Sequence, residues 1–418
     1  MKLVSPRVAI AILLLVSLSP TAGCGDDPES GFATMGMPGI PSPTRVGANL
    51  VFADVAVNGH PGGRLGVDTG APVMLIDASR FPGLEQPTTK QWTADLNVGD
   101  FTIDGIPVLQ FETGNDMDPL NFAGLLGGNV MQQFQVRLDY AHPDRAFRLG
   151  MPAMEMPADG VETPGTSIAF DLEGGGRGNF EGAIVSFPPT RIPLTVHIDG
   201  AAHPFILDTG ASETTIRASL YATITADGRA EISGLPIGTV SGSTTAMVTR
   251  VRTLTVGDAT VSNPAVMTIG DMILDGIQAE VRHPIDGLLG GNFLREFMVT
   301  VDYPQRTLHL QRYTAAAIVD EFKRVGIELG VGSGAHRYVV GNVYQGTDAM
   351  AKQISVSDEI VSVDGQALDP LDSVTADNLL NGTVGATRAI ALGSALTAGL
   401  SNTTVDVRVE DLIPAPAP

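Results

Sequence analysis

The chain has 418 residues, a net charge of −21 and no cluster of basic residues. Nucleic acid is therefore excluded as a partner, because phosphate binding needs a positive footprint. The acidity serves solubility, or favours a positively charged peptide. Glycine and proline are plentiful, helix-period stretches are few, and Val/Thr/Ile-rich runs between turn residues are many, so the chain is expected to be mainly β, with two or three domains.

The N-terminus reads as a targeting segment. Lys2 and Arg7 flank the apolar run from Val8 to Leu18, which is too short to span a bilayer as a helix. It ends in Thr21-Ala22-Gly23-Cys24, which resembles a bacterial lipoprotein cleavage box, with Thr21 in place of the usual Leu. The resemblance implies a signal peptide over 1–23, a lipid on Cys24 and a membrane anchor at the bacterial cell envelope. The body would then stand in the periplasm or outside the cell. The other reading is an ordinary secretory peptide with an incidental cysteine; both predict export. Cys24 is the one cysteine, so no thiol remains for disulfides or metals. Residues 24–47, rich in Asp, Gly and Pro without periodicity, read as a flexible tether.

Next comes a segment that occurs twice. In the first lobe (48–150), an apolar run from Asn49 to Val57 meets the turn Asn58-Gly59 and returns through Leu65-Gly66-Val67 to Asp68-Thr69-Gly70-Ala71. In the second lobe (190–312), Ile192 to Ile198 meets Asp199-Gly200 and returns through Phe205-Ile206-Leu207 to Asp208-Thr209-Gly210-Ala211. Each elbow is followed by a Val-Gly-Asp (98–100 and 256–258). Each is followed later by Gly-Leu-Leu-Gly-Gly-Asn (124–129 and 287–292) and by an apolar strand ending in Asp-Tyr (139–140 and 302–303). Matched segments in the same order are an internal repeat. Gly70 and Gly210 permit backbone angles and close approach that a side chain would forbid. Between the lobes, 151–189 reads as a flexible linker, with Gly174-Gly175-Gly176 but no phosphate-loop pattern around them.

The C-terminal stretch, 316–412, is not a third copy. A strand at Tyr338–Val343 is followed by a helical piece near 348–352 and by Ser357-Asp358-Glu359-Ile360-Val361-Ser362-Val363-Asp364-Gly365. The last run resembles a landmark strand of PDZ domains, with Ser357 in place of its Gly. The glycine-rich Gly330–Gly334 is a loose match to the PDZ carboxylate loop and lacks its aromatic. The resemblance implies a peptide C-terminus as a ligand.

The paired elbows, each with its apolar-apolar-Gly element, resemble the retropepsin-like aspartic proteases over about 48–312. The resemblance implies two pseudo-symmetric retropepsin/pepsin-like β-barrel lobes, here in one chain as in pepsin, so that a monomer suffices. With the tail, the expected fold is mainly β, with a C-terminal PDZ-like β domain carrying short helices. Leu125-Leu126-Gly127 and Leu288-Leu289-Gly290 are implied to pack behind their own elbows. Asp68 and Asp208 are the implied catalytic pair. They would share one proton, activate a water and hydrolyse the peptide bonds of extracytoplasmic proteins. Ala71 and Ala211 stand where pepsin-type enzymes carry a hydroxyl. That hydroxyl would favour the charged carboxylate, so its absence predicts a mildly acidic working range. Pro72 departs from the family pattern and Ser212 conforms to it. Thr69 and Thr209 bond across the axis, or only within their own turns.

One flap is expected, from the second lobe, with Gly238, Thr239, Val240, Ser241 and Gly242 at its tip; the alternative is a mobile surface loop. The first-lobe counterpart near 86–93 is short, lacks glycine and holds Trp92. No metal or cofactor is expected, because the seven histidines are scattered and no His-Glu-x-x-His or Gly-x-Ser-x-Gly occurs. The rival to an enzyme is a catalytically inactive, envelope-anchored scaffold that binds peptides through the PDZ-like domain.

Overall fold

The computed structural model describes residues 32–40, 44–47, 49–112, 122–152, 154–156, 158–180, 183–239, 242–315, 319–332 and 335–417. The signal peptide, Cys24 and the flap-tip residues Val240 and Ser241 lie outside the described residues. Strands make up 46% of the described residues and helices 13%, so the fold is mainly β. The chain divides into two compact units, one formed by residues up to 227 with 251–317, the other by 228–250 with 318–417.

In the first unit each half starts from the same hairpin. Leu50–Val57 pairs with His60–Val67 about Asn58-Gly59, and Pro193–Ile198 pairs with Ala201–Leu207 about Asp199-Gly200. Both turn residues have positive φ in each case (49° and 77°; 50° and 88°), the twist that two-residue hairpins require. In the first half Phe122–Leu126 lies parallel to His60–Val67. Met74–Ile76, Phe101–Gln110 and Gln91–Val98 continue the sheet, and Gln91–Val98 returns to Leu50–Val57, closing a barrel. Alternate residues Val51, Ala53, Val55 and Val57 point into its core with Leu65, Leu96 and Ile103.

The second half repeats the arrangement as a curled half-barrel. Gly287–Leu289 lies parallel to Ala201–Leu207, with Thr215–Ile216 and Ala265–Thr268 beyond it. Thr253–Val256 and Ala259–Ser262 extend the other side. It adds a helix, Asp271–Val281, with Asp271 in its first turn and Arg282 in the left-handed conformation at its end. Leu274, Ile277 and Val281 recur at helical spacing and are buried against Ile206 and Leu288.

The halves are joined by the strands that end in Asp-Tyr. Gln135–Asp139 and Phe297–Asp302 lie antiparallel, pairing Val136 with Val301 and Leu138 with Val299. Phe147–Gly150 and Thr307–Arg312 flank them.

Two expectations are corrected. The tether is not featureless to residue 47. Thr34–Met35 pairs with Phe101–Gln110, and Thr44–Gly47 pairs with Leu50–Val57, satisfying backbone groups that those strands would otherwise leave exposed. Nor is 151–189 a flexible linker. Thr166–Ala169 is the edge strand of the joining sheet, and Gly176–Phe180 forms a hairpin with Ala183–Phe187. The glycine run marks close approach: a Cβ on Gly174 would lie 3.1 Å from Arg191 Cγ, and one on Gly175 2.7 Å from the Pro189 nitrogen.

In the second unit, Glu231–Thr239 and Gly242–Arg250 form a hairpin with a bulge between Ile232 and Leu235. Arg250 at its base donates to Ile413 O (2.6 Å) and Asp320 Oδ1 (2.6 Å) and lies over the Phe322 ring. The C-terminal body has Thr387–Leu392 at the centre of a sheet, between Thr404–Asp411 and Ile360–Val363, with Lys323–Val325 and Gln366–Ala367 outermost. Ile327–Val331 pairs with Tyr338–Val343, and the helices are Asp348–Ala351 and Ser373–Asn378. Arg324 is fully buried and held by both carboxylate oxygens of Asp377 (2.6 and 3.0 Å).

Candidate active site

Each acidic elbow is fixed by the strand that ends in it and by the strand beside that one. Val67 pairs with Leu126 and Leu207 with Leu289. The ladder runs one residue further, since the Asp68 N–H donates to Leu126 O and the Asp208 N–H to Leu289 O, both at 3.1 Å. The next glycine allows the following turn to pass close behind the elbow. A Cβ on Gly127 would lie 2.3 Å from Val73 O, and one on Gly290 2.3 Å from Glu213 O. The asparagine of each Gly-Gly-Asn locks the exit strand. Asn129 Oδ1 accepts from Met74 N–H (2.8 Å) while Nδ2 donates to Pro107 O (3.0 Å). Asn292 likewise takes Thr214 N–H (2.8 Å) and gives to Ala265 O (2.7 Å). These bonds satisfy buried backbone groups that no strand reaches.

The two threonines cross. Thr69 Oγ1 donates to Leu207 O (2.9 Å) and accepts from Thr209 N–H (3.1 Å). Thr209 Oγ1 donates to Val67 O (2.7 Å) and accepts from Thr69 N–H (3.0 Å). This reciprocal set clamps one elbow to the other, so local turn bonding is not their role. It also brings the carboxyl groups together. A Cβ on Gly70 would lie 2.6 Å from Asp208 Cγ, and one on Gly210 2.4 Å from Asp68 Cγ, so each glycine vacates the space that the opposite carboxyl fills.

Both acids are buried, at 1% and 4% exposure. Asp68 Oδ1 accepts from Ala71 N–H (2.9 Å), and Asp208 Oδ1 from Gly210 N–H (2.9 Å) and Ala211 N–H (3.1 Å). Asp68 Oδ2 is buried, receives no donor among the described residues, and interacts with the Asp208 carboxyl. Burial raises Asp68 well above the usual carboxyl range, and the negative charge of Asp208 raises it further. Burial also raises Asp208, to about 6, against the pull of Arg191 and its backbone donors. Loss of water and mutual repulsion thus leave the pair holding one proton at mildly acidic pH. Tyr140 and Tyr303, the last residues of the matched Asp-Tyr pairs, are buried nearby. Burial raises their phenols, and the charges of Asp208 and Asp68 respectively raise them further.

Such a pair offers one acid and one base to a single reacting group, the requirement for hydrolysis by an activated water. An aspartyl protease family model matches residues 194–293. The match covers the half that contains Asp208; Asp68 lies outside it and is related to Asp208 by the repeat and the geometry. No curated protein matches the chain.

Asp68, Thr69, Gly70, Asp208, Thr209 and Gly210 therefore come together in one unit. Gly238, Thr239 and Gly242 lie in the other unit, at the end of the 231–250 hairpin away from its base, where Thr239 pairs with Gly242. Among the described residues no cluster of His, Cys, Asp or Glu is arranged to hold a metal, and no helix is long and apolar enough to cross a membrane.

Sequence reasoning missed Arg191 and Glu280. Arg191 is 1% exposed, donates from Nη1 to Gly70 O and from Nε to Glu280 Oε2 (3.0 Å), and forms an ion pair with that oxygen through Nη2 (2.9 Å). A signal existed. Counting back from Asn58-Gly59 and Asp199-Gly200, Arg191 occupies the place that Leu50 has in the first half, and a charge at an apolar position of a repeat calls for a reason.

Proposed function

We propose that the protein is an aspartic endopeptidase acting through Asp68 and Asp208, with a C-terminal PDZ-like domain that binds substrate or partner peptides. The observation that supports this most is the apposition of the two buried carboxyls by the crossed threonines. The ionised carboxyl takes a proton from a water, whose oxygen attacks the peptide carbonyl carbon, while the protonated carboxyl gives its proton to the carbonyl oxygen. The resulting diol collapses as a proton passes to the nitrogen, the C–N bond breaks, and a carboxylic acid and an amine leave. Each positioned group contributes roughly 10²–10⁴-fold. The 231–250 hairpin takes the flap role, because it is inserted after the second elbow and ends in a glycine-flanked tip. Cys24 carries the lipid that attaches the protein to the cell envelope.

The test is cleavage of a proteome-derived peptide library by the purified chain between about pH 4 and 7. Asp68→Asn and Asp208→Asn should each abolish it. Activity that survives either substitution refutes the assignment. Radiolabelled fatty acid incorporated into the wild type but not into Cys24→Ala tests the anchor.

A further inference from the structure

We propose that Arg191 is a positioning residue of the dyad: its buried charge, metered by Glu280, sets the pH range over which the two carboxyls share one proton. This rests on reading Asp68 and Asp208 as the working pair. The geometry is one-sided. The first half has Leu50 at the equivalent position, so one guanidinium serves both acids. Its Nη1 donates to Gly70 O, the carbonyl of the residue whose Cα faces the Asp208 carboxyl and which follows Asp68 by two. Arg191 bonds the backbone of the site rather than an oxygen of Asp68 or Asp208.

The support around it is built for fixity. Glu280 is 7% exposed and lies at the end of a helix anchored by Leu274, Ile277 and Val281. Glu173 exchanges both backbone hydrogen bonds with Arg191 (2.9 and 3.0 Å), and the glycines at 174–175 let the chain wrap its side chain and Pro189. Other titratable groups near the dyad, among the described residues, include the phenols of Tyr140 and Tyr303, neutral in the working range, and the buried Glu213, whose Oε1 accepts from Asn49 Nδ2 (3.1 Å). The Glu173 carboxylate is engaged with His283.

A fixed cation in a site stripped of water favours the ionised form of every acid near it. Arg191 acts in this direction on both Asp68 and Asp208, opposing their burial. Glu280 offsets part of that charge. The two substitutions therefore have opposite signs. Arg191→Gln should move both limbs of the pH–rate profile to higher pH, by on the order of one unit. Glu280→Gln, which keeps a hydrogen-bonding group but removes the negative charge, should move them to lower pH. Arg191→Lys should restore most of the wild-type position.

The experiment pairs two readouts on the full chain. One is the pH–rate profile of peptide cleavage. The other is the titration of aspartate carboxyl carbons by ¹³C NMR, with Asp68→Asn and Asp208→Asn identifying the signals. Opposite shifts in Arg191→Gln and Glu280→Gln establish the role. Reduced turnover with both limbs and both titrations unmoved overturns it, since a purely structural part would lower amplitude without moving pH. If the wild type cleaves nothing yet its titrations move as stated, the electrostatic role stands and the peptidase reading fails. If Arg191→Gln does not fold, Glu280→Gln decides alone, and an unmoved titration there overturns the proposal.

Discussion

Removing the charge of Asp208 should make the protein more stable at neutral pH while it stops working. The carboxyl titrates near 3.8 when unfolded and is raised to about 6 in the folded site. The folded state therefore binds the proton more tightly than the unfolded chain between those values. Stability falls as pH rises through that window and stays low above it. Linkage over this window gives a cost of about 3 kcal/mol at pH 7 and well under about 1 kcal/mol at pH 4. Asparagine is neutral throughout, and its side-chain oxygen still accepts the Gly210 and Ala211 N–H groups. It also relieves Asp68, which the Asp208 charge raises. Asp208→Asn should thus gain about 3 kcal/mol at pH 7, a rise of roughly 5–10 °C in Tm, and almost nothing at pH 4. Urea and thermal unfolding of wild type and variant at both pH values measure this. A gain of equal size at pH 4 and 7, or a loss at pH 7, would refute a strained, half-protonated pair.

Three further outcomes follow from contacts elsewhere. Gly210→Ala puts a methyl carbon 2.4 Å from Asp68 Cγ, so cleavage should be lost with the far-ultraviolet circular dichroism intact; an active Gly210→Ala would mean that the carboxyl does not sit there. Asp377→Ala removes the bidentate partner of the fully buried Arg324, leaving it the longer ion pair with Glu328 (3.8 Å), and should cost about 3 kcal/mol in denaturant unfolding of the second unit. Ser357, the position where the PDZ pattern has Gly, sits at φ +79°. Ser357→Gly should raise the unfolding free energy of that unit by up to about 1 kcal/mol, the left-handed strain less the entropy glycine brings to the unfolded chain.

What could be read in the sequence was whatever announces itself by repetition. The hairpin turns at Asn58-Gly59 and Asp199-Gly200, the strands that end in Asp68 and Asp208, and the strands behind them each occur twice with the same flanks. A local pattern seen twice with matching spacing constrains tertiary structure in a way one copy does not. The order of the glycines misled for a related reason. Gly174-Gly175-Gly176 looks like slack chain because composition cannot distinguish a glycine that gives freedom from one that gives room. The Arg191–Glu280 pair was invisible to spacing, since its members are far apart in sequence and meet only when the 271–281 helix docks. The strand at Thr44–Gly47 was missed because pairing at a barrel edge satisfies backbone groups whatever the side chains are.

The pattern of likeness between the halves has a physical logic. Asp, Thr and Gly of each elbow touch the opposite elbow: threonine to backbone, glycine to carboxyl, carboxyl to carboxyl. A change in one of them must be answered across the axis, so both copies are held to the same residues. The Leu-Leu-Gly-Gly-Asn segments touch their own elbows in the same way, and a different segment would re-aim one acid against the other. Arg191 is under no such constraint. A single fixed charge beside Gly70 O acts on both carboxyls, and a second at Leu50 would pull the same shared proton further toward release. One chain with two unequal halves can place one such charge, whereas two identical subunits would have to place two. The departure from symmetry falls where symmetry has no geometric work to do, at the side chain that sets the charge of the pair.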